Sequence, residues 1–229
     1  MRRFVFAFDF DGTLVDSYSC LPSVYGFIAE KLNLKGDKVK EFVKKAIAYE
    51  DLFDYIGNYD RKSWWNKLLA EFKVYPENID DLIRLYWIKR AEESVAFDGS
   101  REVLETLRDM GFVIILLCAS DGMRSVKRMR VEMSGLIKYF DEILIVGENV
   151  RDRSEAVEFI CEKYGVEPDE VVVVDDKPNV INEVKKLGVK TVKVDFEGIL
   201  KLAWNTECNP DFRVKRIDEL KDVISLLLK

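Results

Sequence analysis

The chain has 229 residues, a formal net charge of −6, 48% hydrophobic and 34% charged residues, a size that suits one large α/β domain carrying an insertion, or two modest domains. It contains no histidine, which excludes Ser/His/Asp hydrolases, histidine phosphatases and His-ligated metal sites and leaves carboxylates, lysine, cysteine and tyrosine to move protons. The bases are interleaved with acids, so no positive field gathers a polyanion and no nucleic-acid partner is expected; the longest apolar run, Phe112 to Ala119, is too short for a membrane span.

At the start, MRRFVFAFDFDG combines two arginines with an apolar stretch that Asp9 cuts below signal-peptide length, and no small-residue cleavage site follows. An intact, cytoplasmic N-terminus is the expectation. Val5 to Phe8 is continuously apolar, as in a central parallel strand covered on both faces. It runs out into Asp9-Phe10-Asp11-Gly12-Thr13. Ligands bind beyond the carboxyl ends of strands in open parallel sheets. Strand alternation puts Asp9 and Asp11 on one side, and Gly12 permits a tight turn. Two such carboxylates repel each other unless a cation joins them.

From about Tyr18 to Ser94 no β-branched run interrupts the helical spacing of Val39, Phe42, Val43, Ala46 and Ile47, of Trp65, Leu68, Leu69 and Phe72, and of Ile79, Leu82, Ile83 and Tyr86. The segment is therefore expected to be all-helical, with Asp37, Asp60 and Asn78 as helix caps and Pro76 separating the last two helices. Tyr18, Tyr25, Trp64 and Trp65 at helical spacing are expected to be bundle core rather than specificity residues.

Beyond it, helix, glycine and apolar run recur, with Gly111, Gly165 and Gly188 following the helices and VIILLC, VVVV and TVKV as the runs. This is the pattern of α/β winding. The predicted fold is an α/β, Rossmann-like open parallel sheet formed by residues 1–16 and 95–229, with an all-helical insertion over 17–94. Val113 to Cys118 ends in Ala119-Ser120-Asp121-Gly122, where Ser120 is placed to bond a phosphoryl oxygen. Val171 to Val174 ends in Asp175 and Asp176, a second acidic pair offering the hard oxygen ligands that Mg²⁺ prefers.

The four cysteines, Cys20, Cys118, Cys161 and Cys208, form no CxxC pair and are expected to be reduced, structural thiols. Cys118 and Arg124 do have the C-x5-R spacing of cysteine phosphatases. Asp121 inside that loop would repel an anionic substrate, and no histidine activates the thiol.

With DFDGTLVDS, CASDG and VVVVDD as first, second and fourth motifs, the chain resembles the haloacid dehalogenase-like superfamily of phosphatases and phosphomutases along its whole length. The resemblance implies that the insertion is a cap closing over the acids. It implies that Asp9 attacks phosphorus while Asp11 serves as general acid and base. Mg²⁺ would lie between the Asp9 carboxylate, the Asp11 main-chain carbonyl and a fourth-motif acid, Asp176 ahead of Asp175. Thr13 and Ser120 would hold phosphoryl oxygens or make supporting contacts. The usual third-motif lysine is absent from Arg151-Asp152-Arg153-Ser154, where Arg153, or else Arg151, would supply the positive charge. The later acid of the fourth motif is replaced by Val180. Asp11 favours phosphoryl transfer over carbon–halogen cleavage, because a poor alkoxide leaving group needs a proton. A magnesium-dependent phosphatase acting on a small phosphorylated metabolite is the expectation, with a phosphomutase or a catalytically silent binding protein as alternatives.

Overall fold

The computed structural model describes residues 4–228; Met1 to Arg3, with the two arginines of the N-terminal reading, and Lys229 lie outside the described residues. The chain opens on β1 (Val5–Phe8), passes through β2 (Val15–Asp16), and continues as α1 (Leu21–Lys31), α2 (Asp37–Tyr55), α3 (Arg61–Glu71) and α4 (Ile79–Glu93). It returns through β3 (Val95–Ala96), which pairs antiparallel with β2, Val15 facing Ala96 and Asp16 facing Val95. The helical stretch thus leaves and re-enters through one small two-stranded ribbon. Then follow α5 (Ser100–Asp109), β4 (Val113–Ala119), α6 (Val126–Met133), β5 (Glu142–Val146), α7 (Arg153–Tyr164), β6 (Val171–Asp175), α8 (Pro178–Lys185), β7 (Lys190–Val194), β8 (Phe212–Val214) and α9 (Leu220–Leu227).

The main sheet is parallel in the order β5-β4-β1-β6-β7-β8. Its central strands β1 and β4 are apolar at every position, and β6 is apolar up to Asp175, because both faces there are covered. Phe6, Phe8, Leu116, Val172 and Val174 pack with Val103, Leu104 and Leu107 of α5 and Val223 of α9. Val5, Ala7, Ile115, Val171 and Val173 pack with Val157 and Ile160 of α7 and Val184 of α8. Successive strand residues alternate between the two clusters, as the pleat requires. The β5 and β8 edges were not foreseen. Glu142-Ile143-Leu144-Ile145-Val146 is an apolar run opened by a charged residue, and Phe212-Arg213-Val214 has only three residues; the latter is a strand through its pairing with β7.

The helical segment buries its own cluster, in which Tyr25, Phe42, Trp65, Leu68 and Tyr86 are fully enclosed. Asp60 accepts from the Ser63 amide and Asn78 from the Asp80 amide, so both cap their helices as expected. Asp37 does not. It is the first residue of α2, behind Gly36 at φ 59°, and its carboxylate faces Lys40 at 3.3 Å. Among the described residues no helix is long and apolar enough to cross a membrane.

Candidate active site

The chain first runs outward from β1 to β4 and β5, then restarts beside β1 at β6. Such a switch opens a crevice at the carboxyl ends of the strands. Asp9 follows β1, Ser120 and Asp121 follow β4, and Asp175 and Asp176 end β6. The register Phe8 to Val174, with the Asp9 amide donating to the Val174 carbonyl at 2.9 Å, sets Asp9 level with the acidic pair. Carboxylate oxygens of Asp9, Asp175 and Asp176 lie within 4.8 Å of one another.

This triad is electrostatically uncomfortable by itself. Burial, then Asp175, Asp176 and Asp11, push the Asp9 carboxyl well above the usual range, against a smaller opposite pull from Lys127. Burial and the adjacent Asp175 raise Asp176 to about 7. Burial also raises Asp175, opposed mainly by Arg153. Three carboxylates at this spacing, Asp175 and Asp176 buried and Asp9 partly so, fit a hard divalent cation, whose charge removes the penalty of ionising all three. Asp176 is aimed by two donors: the Thr13 hydroxyl to Oδ1 at 2.9 Å and the Trp204 indole N–H to Oδ2 at 2.6 Å. Gly12, at φ 87°, passes under it so closely that a Cβ there would stand 2.5 Å from Asp176 Oδ2.

Asp11 lies apart from the triad. Its carboxylate is turned toward α6, where Lys127 and Arg130 both donate to it, Arg130 Nη1 at 3.1 Å, and where both cations also meet Asp121. The Ser17 hydroxyl donates to it as well. Burial pushes the Asp11 carboxyl up, but Arg130 and Lys127 outweigh burial and hold it well below the usual carboxylate range. The expectation that Asp9 and Asp11 share a cation through their side chains is thereby corrected: the chain turns at Gly12 and the second carboxylate swings into a cationic socket.

The remaining predicted residues separate. Arg153, at the start of α7, lines the cavity and pairs with Glu183 at 3.1 Å, and Asp175 and Asp9 count among the anions that raise its pKa. Arg151 is exposed and bonded to Asp152, so it is not the cavity cation. Thr13 supports Asp176 rather than facing the cavity. Ser120 lines it, donating to Glu148 at 3.1 Å and accepting from the Gly122 amide at 3.2 Å. Asp175 borders the cavity, and Asp175 and Asp176 each bring an oxygen to the cluster with Asp9. Cys118 is buried with its thiol pKa pushed up, above all by burial, and Arg124 is exposed, which removes the cysteine-nucleophile reading. Tyr25 and Trp65 are core, but Tyr18 and Trp64 reach the cavity.

The helical segment roofs this site. Tyr59, Arg61, Trp87 and Arg90 reach the cavity from above, leaving a space of about 70 Å³. That is far below the roughly 300–1,000 Å³ of sites for drug-sized ligands. Tyr59, Ser120 and Arg153 also border a wider surface cleft of about 710 Å³. Above the cavity, Glu50 is enclosed by Arg61, Arg90 and the Tyr86 hydroxyl. Arg90 continues to the Ser17 carbonyl at 2.9 Å, and Ser17 meets Asp11. A buried polar chain therefore runs from the helical segment to the first motif. Sequence reasoning missed Lys127, Arg130, Lys177 and Trp204. Lys127 and Arg130 are three apart on one helical face, a spacing that signals a shared partner only once that face is known to be buried.

A sequence profile of the haloacid dehalogenase-like hydrolases matches residues 5–221. The chain is 30% identical over 163 residues to the PpaX protein of Clostridium perfringens, covering 68% of this chain and 75% of that one. It is 24% identical to phosphoglycolate phosphatase of Vibrio parahaemolyticus, over 96% and 95% of the two chains. Among solved structures, a HAD phosphatase from Thermococcus onnurineus superposes with a TM-score of 0.61 at 24% identity, over 96% and 97% of the chains.

Proposed function

The chain belongs to the haloacid dehalogenase-like hydrolases and is a phosphoric monoester hydrolase of that family, and from that premise we propose that it is a Mg²⁺-dependent phosphatase of small phosphomonoesters working through an aspartyl-phosphate on Asp9. The observation that carries the reading is the cluster of Asp9 with the buried Asp175 and Asp176, a set of oxygen donors whose mutual repulsion a cation relieves. Mg²⁺ held there, with the Asp11 main-chain carbonyl as a further oxygen donor, would neutralise the nucleophile and the phosphoryl oxygens so that two anions can meet.

An Asp9 carboxylate oxygen forms a bond to phosphorus as the ester P–O bond breaks, and the leaving oxygen takes a proton from Asp11. Water then attacks the aspartyl-phosphate, giving its proton to Asp11, and Asp9 is restored with release of orthophosphate. Asp11 starts from an ionised state, so before it can act as the acid it must take up a proton from solvent, which becomes favourable when its cations are drawn elsewhere. A phosphoryl dianion beside Lys127 would do this, competing with Asp11 for that ammonium. Arg153 supplies a guanidinium to the phosphoryl oxygens in place of a third-motif lysine, and Ser120 supplies a hydroxyl.

Residues 17–94 act as a cap over the residues 1–16 and 95–229 core. The tight cavity limits the substrate while the cap is closed, in keeping with the small substrate named for phosphoglycolate phosphatase. The test is phosphate release from sugar phosphates, phosphoglycolate, nucleotides and p-nitrophenyl phosphate, with Mg²⁺ and with EDTA, for the native chain and Asp9→Asn. Magnesium-dependent release by the native chain alone is expected. Release that survives EDTA, or that Asp9→Asn retains, would defeat the proposal.

A further inference from the structure

Trp204 belongs to none of the sequence motifs, yet its indole N–H donates to Asp176 Oδ2 at 2.6 Å. Asp176 is wholly enclosed, and its other oxygen is held by Thr13. An indole can donate and cannot accept, so this contact orients the carboxylate and leaves the remaining lone pairs of both oxygens for a cation. Groups that hold a ligating carboxylate from behind set its direction and tune its affinity for the metal.

The same ring packs against Phe196 of the sheet domain at 5.2 Å between ring centres and against Tyr18 at the start of the helical segment. Tyr18 packs edge-on against the indole at 5.2 Å between ring centres, at the point where the chain leaves β2 for α1. Lys177 Nζ stands 5.8 Å from its centre, and that ammonium lies 2.8 Å from both oxygens of Asp54 in α2. Just before Trp204, the Lys201 and Leu202 amides donate to Asp51 of α2, Lys201 at 2.9 and 3.0 Å and Leu202 at 2.9 Å. A single side chain therefore holds an acid of the triad and lies beside the contacts by which α2 rests on the sheet domain.

The geometry points to Trp204 as a positioning residue that couples cation binding at Asp9, Asp175 and Asp176 to closure of the helical segment, an inference that rests on the metal-binding reading of the triad. Drawing Asp176 toward a cation pulls on the indole, and the indole sits between Tyr18 and Lys177. The coupling is reciprocal: closing the segment strengthens cation binding, and freeing it weakens cation binding.

The full-length protein tests this by calorimetric titration with MgCl₂, without substrate, while tryptophan fluorescence is followed in parallel. Trp204→Phe keeps an aromatic ring and removes the N–H; it is expected to weaken Mg²⁺ binding by about tenfold or more and to abolish most of the magnesium-induced fluorescence change. Asp51→Ala leaves the triad and its donors untouched and frees the segment around Lys201; its expected effect is a several-fold loss of Mg²⁺ affinity, on the scale of ordinary coupling between sites. Native affinity in a folded Trp204→Phe protein overturns the positioning role. Native affinity in Asp51→Ala overturns the coupling, including where Trp204→Phe fails to fold. Absence of Mg²⁺ binding by the native chain would overturn the metal reading itself, a result distinguishable from both.

Discussion

Lys177 Nζ lies 2.8 Å from each carboxylate oxygen of Asp54, tying the residue that follows the acidic pair of β6 to helix α2 above the cavity. Both side chains are largely shielded from solvent, so bulk water does little to screen the pair. Burial pushes the Lys177 pKa down, but Asp54 and other nearby acceptors carry it well above the usual lysine range. Asp54→Asn is expected to lower stability by about 1.5–3 kcal/mol, the range for a hydrogen bond to a charged group, and to speed amide exchange in α2 more than in β1 or β6. Exchange in α2 that matches the native protein would show that the pair does not fasten the helical segment.

The triad predicts opposite effects for one substitution with and without metal. In EDTA, Asp9→Asn removes a charge that Asp175 and Asp176 repel, so its thermal midpoint is expected to exceed that of the native chain. Added Mg²⁺ is expected to stabilise the native protein by about 2.7 kcal/mol at a hundred times the dissociation constant, and the variant by less. Phosphatase turnover should fall by at least about 10³-fold in Asp9→Asn, as for loss of a nucleophile. Differential scanning fluorimetry against MgCl₂ concentration reads the first two effects, and equal midpoints in EDTA would contradict the repulsion.

Glu50 gives a pH dependence whose sign is fixed. Burial pushes its pKa up, but Arg61 and Arg90 overcome this and bring it from 4.5 to about 2. A carboxyl depressed on folding contributes stability that is complete above its unfolded pKa and lost as pH falls through the folded one. The contribution, on the order of 3 kcal/mol, should therefore fade between about pH 4.5 and pH 2. Glu50→Gln should remove that part of the slope and, by leaving two buried guanidinium groups short of a counter-charge, cost about 3–5 kcal/mol at neutral pH. Urea denaturation across this pH range tests it; an unchanged slope in the variant would refute the assignment.

Gly122 marks the closest approach of the two parts of the chain in the second motif. It sits at φ 76°, and a Cβ built there would stand 1.9 Å from the Tyr59 carbonyl oxygen. Gly122→Ala must therefore displace the loop between α2 and α3, on top of about 1–2 kcal/mol for a left-handed residue with a side chain. Reduced kcat/KM with an intact far-ultraviolet spectrum is the expected outcome. Undiminished kcat/KM would mean that the loop yields without consequence for the site.

The sequence by itself determined the layered α/β core, the helical insertion and the ends of the strands that carry acids. Continuous apolar runs need cover on both faces, 3.6-residue periodicity needs one buried stripe, and an acid at the end of a buried strand has no partner except across the crevice. Those constraints are local, so Asp9, Asp11, Asp175 and Asp176 could be singled out from their neighbours in the chain. The tertiary structure decided which of them meet. Asp11 is drawn from the triad by Lys127 and Arg130, 116 and 119 residues away, and Trp204 reaches Asp176 from a single 3₁₀ turn, Leu202–Trp204, too short to carry a periodicity. Arg151 and Arg153 are the same residue type two positions apart, but Arg151 precedes the Asp152 cap and is exposed, whereas Arg153 opens α7 and lines the cavity. The three-residue edge strand β8 likewise exists because β7 offers its unpaired backbone groups. The energy of each of these features resides in a partner distant along the chain, and local pattern carries no information about which partner folding will deliver.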